Sequence, residues 1–250
     1  MDNRKRVAFV SGAGQGMGRA IALALSAKGR MVAVGDIRET EGRETVDRIA
    51  NAGGRAAFVA FDVTKAESVR SAITQTESEL GPIDVLVNNI GWDQMKPFIN
   101  TDEDFWRLIV DINYLGNLRL THTVLPGMLE RKWGRIVNIS SDAARVGSSF
   151  EAVYSGAKGA VVSFTKTLAR EVAKNGITVN TVCPGPTLTP ALEGAIARNP
   201  KILESMVRAV PMGRVGQPDD VATAVAFFGS DEASFITGQT LSVSGGLTMA

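Results

Sequence analysis

The chain has 250 residues, 44% of them hydrophobic, with 27 basic and 26 acidic side chains and a formal net charge of +1. That length and apolar content suit one buried α/β core, and the charge balance leaves no electrostatic footprint for nucleic acid or an anionic membrane. Cys183 is the only cysteine and His122 the only histidine, so an intrachain disulfide and a zinc site of Cys and His ligands are excluded by count.

In chain order, the apolar, β-branched run Val7–Val10 reads as a strand, and residues 17–28 carry Met17, Ile21, Ala24 and Leu25 near helical spacing. Further strand-like runs are Met31–Val34, Ala56–Phe61, Val85–Val87, Arg135–Ile139, Thr178–Val182 and Thr240–Val243. Helical stretches are expected over 65–80, 102–131, 152–174 and 218–229. Gly29, Gly53-Gly54, Gly81-Pro82, Gly134 and Gly176 stand where helices should stop. Short apolar strands alternating with helices imply a single-domain α/β Rossmann fold over residues 1–250, a doubly wound parallel sheet of about seven strands flanked by helices. The Pro-containing segment 187–215 follows a strand end and is a candidate lid.

No segment approaches the roughly 20 apolar residues that span a bilayer. Residues 1–6 lack the apolar run of a signal peptide, so a cytoplasmic protein is expected. No G-x-S-x-G occurs, and a Ser-His-Asp hydrolase would depend on His122 alone. His122 is expected to be structural, on the central helix, and Cys183 a small core residue.

Ser11-Gly12-Ala13-Gly14-Gln15-Gly16-Met17-Gly18 links the first strand to the first helix. Glycines there allow a tight turn close to a pyrophosphate, and the helix N-terminus offers free N–H groups. The spacing is G-x-x-x-G-x-G rather than G-x-G-x-x-G. Asp36 ends the second strand, 18 residues after Gly18. An acid there accepts hydrogen bonds from ribose hydroxyls and repels a 2′-phosphate, which favours NAD over NADP. Arg38 lies near enough to soften that preference.

Tyr154 and Lys158 are four apart in a helical stretch and share a face. A nearby ammonium is expected to favour the phenolate and lower a tyrosine pKa of about 10, making Tyr154 the proton-transfer residue. Ser141 lies 13 residues before Tyr154, just past a strand end, where its hydroxyl can hold a substrate oxygen as charge develops. Ser140 is the rival for that role and is expected to be structural.

Together with Asp62-Val63, Asn88-Asn89-Ile90-Gly91, Asn113 and Pro184-Gly185, these motifs make the chain resemble the short-chain dehydrogenase/reductase family from Val7 to Met249. The resemblance implies NAD-dependent transfer of hydride between a secondary alcohol and a ketone. It implies four catalytic residues: Asn113, Ser141, Tyr154 and Lys158. Asn113 would order a relay water, and Lys158 would bond the nicotinamide ribose. The implied cofactor set is Ser11, Gly12, Gln15, Gly16, Met17, Gly18, Asp36, Ile37, Asp62, Val63, Asn89, Gly91, Tyr154, Lys158, Pro184, Gly185, Thr187 and Thr189. Ile90 departs from the family's usual alanine, and Ser11 from its threonine. A homotetramer is implied as well.

The segments around Trp92, Ser141–Ser149, Val182–Thr187 and Phe235–Met249 are also similar to those of 2-hydroxycyclohexanecarboxyl-CoA dehydrogenases, which oxidise a ring alcohol in the degradation of aromatic acids. This resemblance implies an acyl-CoA thioester as substrate. Trp92, Phe150, Leu188 and Val146 are candidate apolar walls. Arg145 is a candidate partner for a carbonyl or phosphate, or else an ion pair with Asp142 or Glu151. Arg198, Lys201 and Arg208 are candidates for CoA phosphates, or else a solvated helix face. The alternatives are a 3-oxoacyl thioester reductase, a dehydrogenase of a free cyclic or sugar alcohol, and a non-catalytic NAD sensor. A sensor has no need for all four catalytic side chains.

Overall fold

The computed structural model describes residues 5–249; the first four residues, part of the segment read for a signal peptide, and Ala250 lie outside the described residues. Seven strands form one parallel sheet in the order β3-β2-β1-β4-β5-β6-β7: β1 Val7–Ser11, β2 Met31–Asp36, β3 Ala56–Ala60, β4 Ile83–Asn88, β5 Gly134–Ile139, β6 Ile177–Pro184 and β7 Thr240–Val243. All six pairings are parallel. The order reverses between β1 and β4, which opens a crevice at the carboxyl ends of those two strands.

Residue alternation divides the core. Val7 and Phe9 point to one face of the sheet, onto α3 (Ala66–Leu80), α5 (Gly116–Arg131) and α7 (Ala152–Val172). Ala8 and Val10 point to the other, onto α1 (Gly16–Ala27), α2 (Glu39–Asn51) and α10 (Pro218–Phe228). Both faces are thus covered, which explains why β1, β4, β5 and β6 are buried at every position.

The structure departs from the sequence reading in three places. Helix α2 was not anticipated: Glu39, Glu41 and Arg43 dilute its apolar signal, and only Gly42, Thr45 and Ile49 are buried. The expected helix over 102–131 is α4 (Glu103–Val110), capped by Asp102, then a π-turn over Asp111–Leu115, then α5. Gly134 does not stop α5 but begins β5; the left-handed cap is Lys132, at φ 53°. The candidate lid contains two helices, α8 (Pro190–Arg198) and α9 (Lys201–Ala209), neither with a buried residue. A one-turn helix, α6 (Ala143–Val146), follows Ser141. Among the described residues, no helix is long and apolar enough to cross a membrane and no cluster of His, Cys, Asp and Glu could hold a metal.

Candidate active site

The glycine turn leaves β1 and enters α1. Gly12 and Gly16 have φ of +66° and +53°, which suits residues without a Cβ. A Cβ on Gly18 would stand 1.9 Å from the Gly12 carbonyl oxygen, so helix and turn approach this closely only because Gly18 is bare. The Asn89 amide donates to the carbonyls of Ser11 and Gly12 and fixes the turn to the end of β4. Arg19 and Thr45 add hydrogen bonds to the Gly14 carbonyl.

Beside this turn lies a cleft of about 500 Å³. Gly12, Gln15, Gly16, Met17, Gly18, Asp36, Ile37, Asp62, Val63, Asn89, Gly91 and Thr189 line it, so twelve of the expected cofactor residues converge. Asp36 is buried; its Oδ2 accepts from the Gly14 amide at 2.8 Å, and its Oδ1 accepts from the Arg38 amide at 3.0 Å. Each oxygen keeps a second lone pair, so ribose hydroxyls can still be accepted. The Arg38 Nε lies 3.6 Å from Oδ1, which places one cation beside the same carboxylate. The bare turn, the open cleft and this carboxylate fit a nicotinamide dinucleotide.

Other expected cofactor residues stand elsewhere. Ser11 is fully buried: its hydroxyl donates to Val87 O and accepts from the Asn89 backbone N–H, so it braces β1 against β4 and does not face the cleft. Pro184 ends β6 and Gly185 follows it, its amide bonded to Val243 O, and Thr187 donates to Gly185 O. These three are not among the residues lining the cleft. Ile90 packs against the core beside Gly12 and also lines the cleft.

Two of the proposed catalytic side chains, Lys158 and Asn113, meet next to Gly91. A Cβ on Gly91 would lie 3.0 Å from Lys158 Nζ and 3.1 Å from Asn113 Oδ1. Asn113 sits in the π-turn, buried, donating to the carbonyls of Trp92 and Ile109 and accepting from the Trp92 amide. Lys158 is buried, with Nζ donating to Ile139 O at 3.0 Å and standing 5.8 Å from the Tyr154 ring centre. The Ser141 side chain is near enough to the Tyr154 hydroxyl to favour its ionised form. Ser141 also accepts from the Ala143 amide, while Ser140 donates to Lys158 O and is buried.

The electrostatics correct one expectation. Burial pushes the Tyr154 hydroxyl well above its ordinary value, with Glu151 adding to the rise and Ser141 opposing it. Lys158 does not counter this; its own burial lowers it to about 8. Desolvation disfavours the phenolate and the ammonium alike, and the i,i+4 spacing alone carried no information about burial.

The substrate candidates are dispersed. Trp92 faces the large cleft and makes an edge contact with Phe105. Phe150, at φ +70°, lines a narrower cleft with Tyr154. Arg145 forms neither expected ion pair; it donates to Ser242 at 2.7 Å, and Ser242 donates to Asp142 at 2.5 Å. Val146 is exposed, and the Leu188 amide is bonded to Gly216 O. Arg198, Lys201 and Arg208 lie exposed on α8 and α9, and His122 is exposed on α5 rather than packed. Asp93 and Glu151 flank Tyr154 in the narrower cleft and were not anticipated; they meet only through the fold, at a separation no motif spans.

The family model described as enoyl-(acyl carrier protein) reductase matches residues 12–248. An acetoacetyl-CoA reductase of Shinella zoogloeoides is 41% identical over 242 residues, covering 96% of this chain and 98% of that protein. A 3-oxoacyl-[acyl-carrier-protein] reductase of Vibrio cholerae is 37% identical over 249 residues, covering both chains fully. Among solved structures, an actinorhodin polyketide ketoreductase variant with NADPH superposes with a TM-score of 0.94 at 36% identity, covering 97% of each chain. A 3-oxoacyl-[acyl-carrier protein] reductase from Brucella melitensis with bound NAD superposes with a TM-score of 0.91 at 34% identity, covering 99% of this chain and 93% of that one.

Proposed function

We propose that this chain, which belongs to the short-chain dehydrogenase/reductase family of oxidoreductases, interconverts 3-hydroxyacyl and 3-oxoacyl thioesters with NAD. The observation that carries the reaction type is the gathering of Tyr154, buried Lys158, whose Nζ stands 5.8 Å from the Tyr154 ring centre, and buried Asn113 at the edge of the dinucleotide-sized cleft. The thioester class is taken from the relatives, which are reductases of acetoacetyl-CoA and of 3-oxoacyl carrier-protein thioesters.

The resemblance to dehydrogenases of 2-hydroxycyclohexanecarboxyl-CoA falls within the same class. In that compound the alcohol carbon is β to the thioester carbonyl, so it is a cyclic 3-hydroxyacyl thioester. The sequence resemblance supports the ring substrate, and the relatives support open-chain 3-oxoacyl groups. One site geometry serves both, because the reacting carbon stands at the same distance from the thioester.

A bound nicotinamide dinucleotide supplies the hydride donor or acceptor. The chain supplies the rest. Ser141 donates to the substrate oxygen and keeps it against Tyr154. Tyr154 gives its proton to that oxygen in reduction and takes it back in oxidation. Lys158 and Asn113 form the polar floor through which the proton on Tyr154 is replaced. NAD is favoured over NADP because the buried Asp36 carboxylate faces the cleft, whereas Arg38 is the cation beside it.

The test is a cofactor-by-substrate matrix: acetoacetyl-CoA with NADH and NADPH, and 2-hydroxycyclohexanecarboxyl-CoA with NAD and NADP. Turnover of either thioester with an NAD(H) preference is the expected result. Turnover of free alcohols alone would overturn the thioester assignment, and an NADP(H) preference would overturn the role given to Asp36.

A further inference from the structure

We propose that Asp93 is a specificity-determining residue whose carboxylate, in the wall of the narrow cleft beside Tyr154, turns away anionic free acids and reserves the site for neutral carbonyl compounds. Its application to thioesters rests on the function proposed above.

The loop after β4 divides the two clefts. Gly91 and Trp92 face the large one, and Asp93 faces the narrow one together with Glu151 and Tyr154. Asp93 is half-buried, and its Oδ2 is enclosed with no hydrogen-bond partner among the described residues. Burial raises its carboxyl to about 6, with the Gln94 amide opposing and Glu151 adding to the rise, so the group is still mainly ionised at neutral pH. An enclosed carboxylate oxygen without a partner is costly, and the Gln94 amide offsets only part of that cost.

The charge reaches the reacting centre. Asp93 and Glu151 line the same narrow cleft as Tyr154, and both act on its hydroxyl, so a substrate oxygen held by Tyr154 faces two acidic side chains. Lys96 is the cation lining this cleft, but its Nζ is held 5.0 Å from the Phe105 ring centre. Among the described residues it pairs with neither acid, and it is not among the groups that act on Tyr154. A 3-oxo acid carries a full negative charge two bonds from its reacting ketone, and bringing it here sets like charges together in a cleft of reduced dielectric. An ester or thioester of the same acid carries no charge at that point. Repulsion of the wrong ligand is an established route to specificity, and Asp93 is placed to supply it.

The experiment compares acetoacetate, methyl acetoacetate and acetoacetyl-CoA as substrates of the wild type and Asp93→Asn, with thermal melts to verify folding. Calorimetric binding of the first two to cofactor-loaded protein is measured in parallel. Asp93→Asn is expected to raise the acetoacetate-to-methyl acetoacetate ratio of kcat/KM, and of affinity, by about tenfold. A ratio within about twofold of wild type in both measurements overturns the proposal. Should Asp93→Asn fail to fold, Glu151→Gln is expected to move the same ratio in the same direction, and no movement overturns it. A wild type that reduces methyl acetoacetate but not acetoacetyl-CoA refutes the thioester function while the ratio still tests Asp93. If neither small substrate turns over, the binding ratio decides alone.

Discussion

The Asp36 carboxylate accepts a hydrogen bond from the Gly14 amide at 2.8 Å, and a Cβ on Gly14 would come equally close to the same oxygen. The acid that ends β2 is therefore clamped to the turn that starts α1. The carboxylate has a fixed direction in the cleft, and the turn depends on it for its own hydrogen bonding.

Replacement of Asp36 has two separable consequences. Asp36→Ala removes a charged acceptor for the ribose hydroxyls, a contact of about 1.5–3 kcal/mol, so kcat/KM with NAD should fall by roughly one to two orders of magnitude. NADP, freed of the opposing charge, should lose less. The variant also leaves the Gly14 amide unpaired, and unfolding should show a loss of about 1–3 kcal/mol. Steady-state kinetics with both cofactors and denaturant titration check the two effects. Equal losses with NAD and NADP would refute the discriminating role.

Tyr154→Phe retains the ring and removes the hydroxyl on which Ser141 acts. Turnover should drop by about two to four orders of magnitude, the usual range for a general acid or base. Cofactor binding, measured by fluorescence, should change little, because the large cleft is lined by other side chains. Near wild-type turnover with the fold intact would remove Tyr154 from the mechanism.

Lys158 gives a pH signature in stability. Burial lowers it from 10.5 to about 8, so between those values the unfolded chain binds more protons than the folded one. Stability should therefore rise with pH across that window, as the cost of the buried ammonium is relieved. Below about pH 8 that cost is present in full. Tyr154 works the opposite way: it is raised above its ordinary 10.0, so folding loses stability once the unfolded tyrosine ionises. In Lys158→Met the first effect disappears. The unfolding free energy of wild type relative to the variant should climb by about 3 kcal/mol from neutral pH to about pH 10.5, read by denaturant titration across pH.

Much of this architecture was legible in the chain. Each of the seven strands begins within two residues of the run that announced it; the signal is plainest in β1 and β4, which are buried at every position and therefore apolar along most of their length. The glycine turn was legible because close approach leaves few residue choices. Helix α2 was not, since a charged helix that buries only Gly42, Thr45 and Ile49 leaves a faint apolar stripe. The opposed shifts of Tyr154 and Lys158 were hidden for another reason: spacing gives proximity, whereas burial decides protonation. Asp93 and Glu151 are 58 positions apart, and only the packing of the loop after β4 against the start of α7 brings them to one cleft.

The Ser141 loop is anchored from the far edge of the sheet. Ser242 on β7 receives Arg145 and donates to Asp142, whose carboxylate is buried and whose Oδ2 has no partner among the described residues. Ser242→Ala would strip the second oxygen as well. Stability should fall by about 1–3 kcal/mol. Ser141 is adjacent to Asp142, so kcat should fall more than KM rises. Ser242→Thr, which keeps the hydroxyl, should recover most of both. Equal loss in Ser242→Ala and Ser242→Thr would assign the effect to packing.

Gly18→Ala is the smallest change expected to break the cofactor cleft. Its Cβ would stand 1.9 Å from Gly12 O and 2.7 Å from Asn89 Nδ2, well inside van der Waals contact with both backbone and tether. Neither group is free to yield. Gly12 is held at φ +66° within the turn, and Asn89 Nδ2 is bonded to the carbonyls of Ser11 and Gly12. Helix α1 must therefore move away from the turn, which also pulls Ile21 and Leu25 from the core between α1 and the sheet. In an open helix position alanine would stabilise by roughly 1 kcal/mol over glycine. Here the sign should reverse, with a loss of about 1–3 kcal/mol from overpacking and a larger loss in dinucleotide affinity than in stability. Thermal melts with and without NAD measure both: the variant should melt lower, and added NAD should raise its midpoint less than it raises that of the wild type. A variant that melts at or above wild type and keeps the full NAD shift would show that the turn is not held as tightly as the Gly18–Gly12 approach requires.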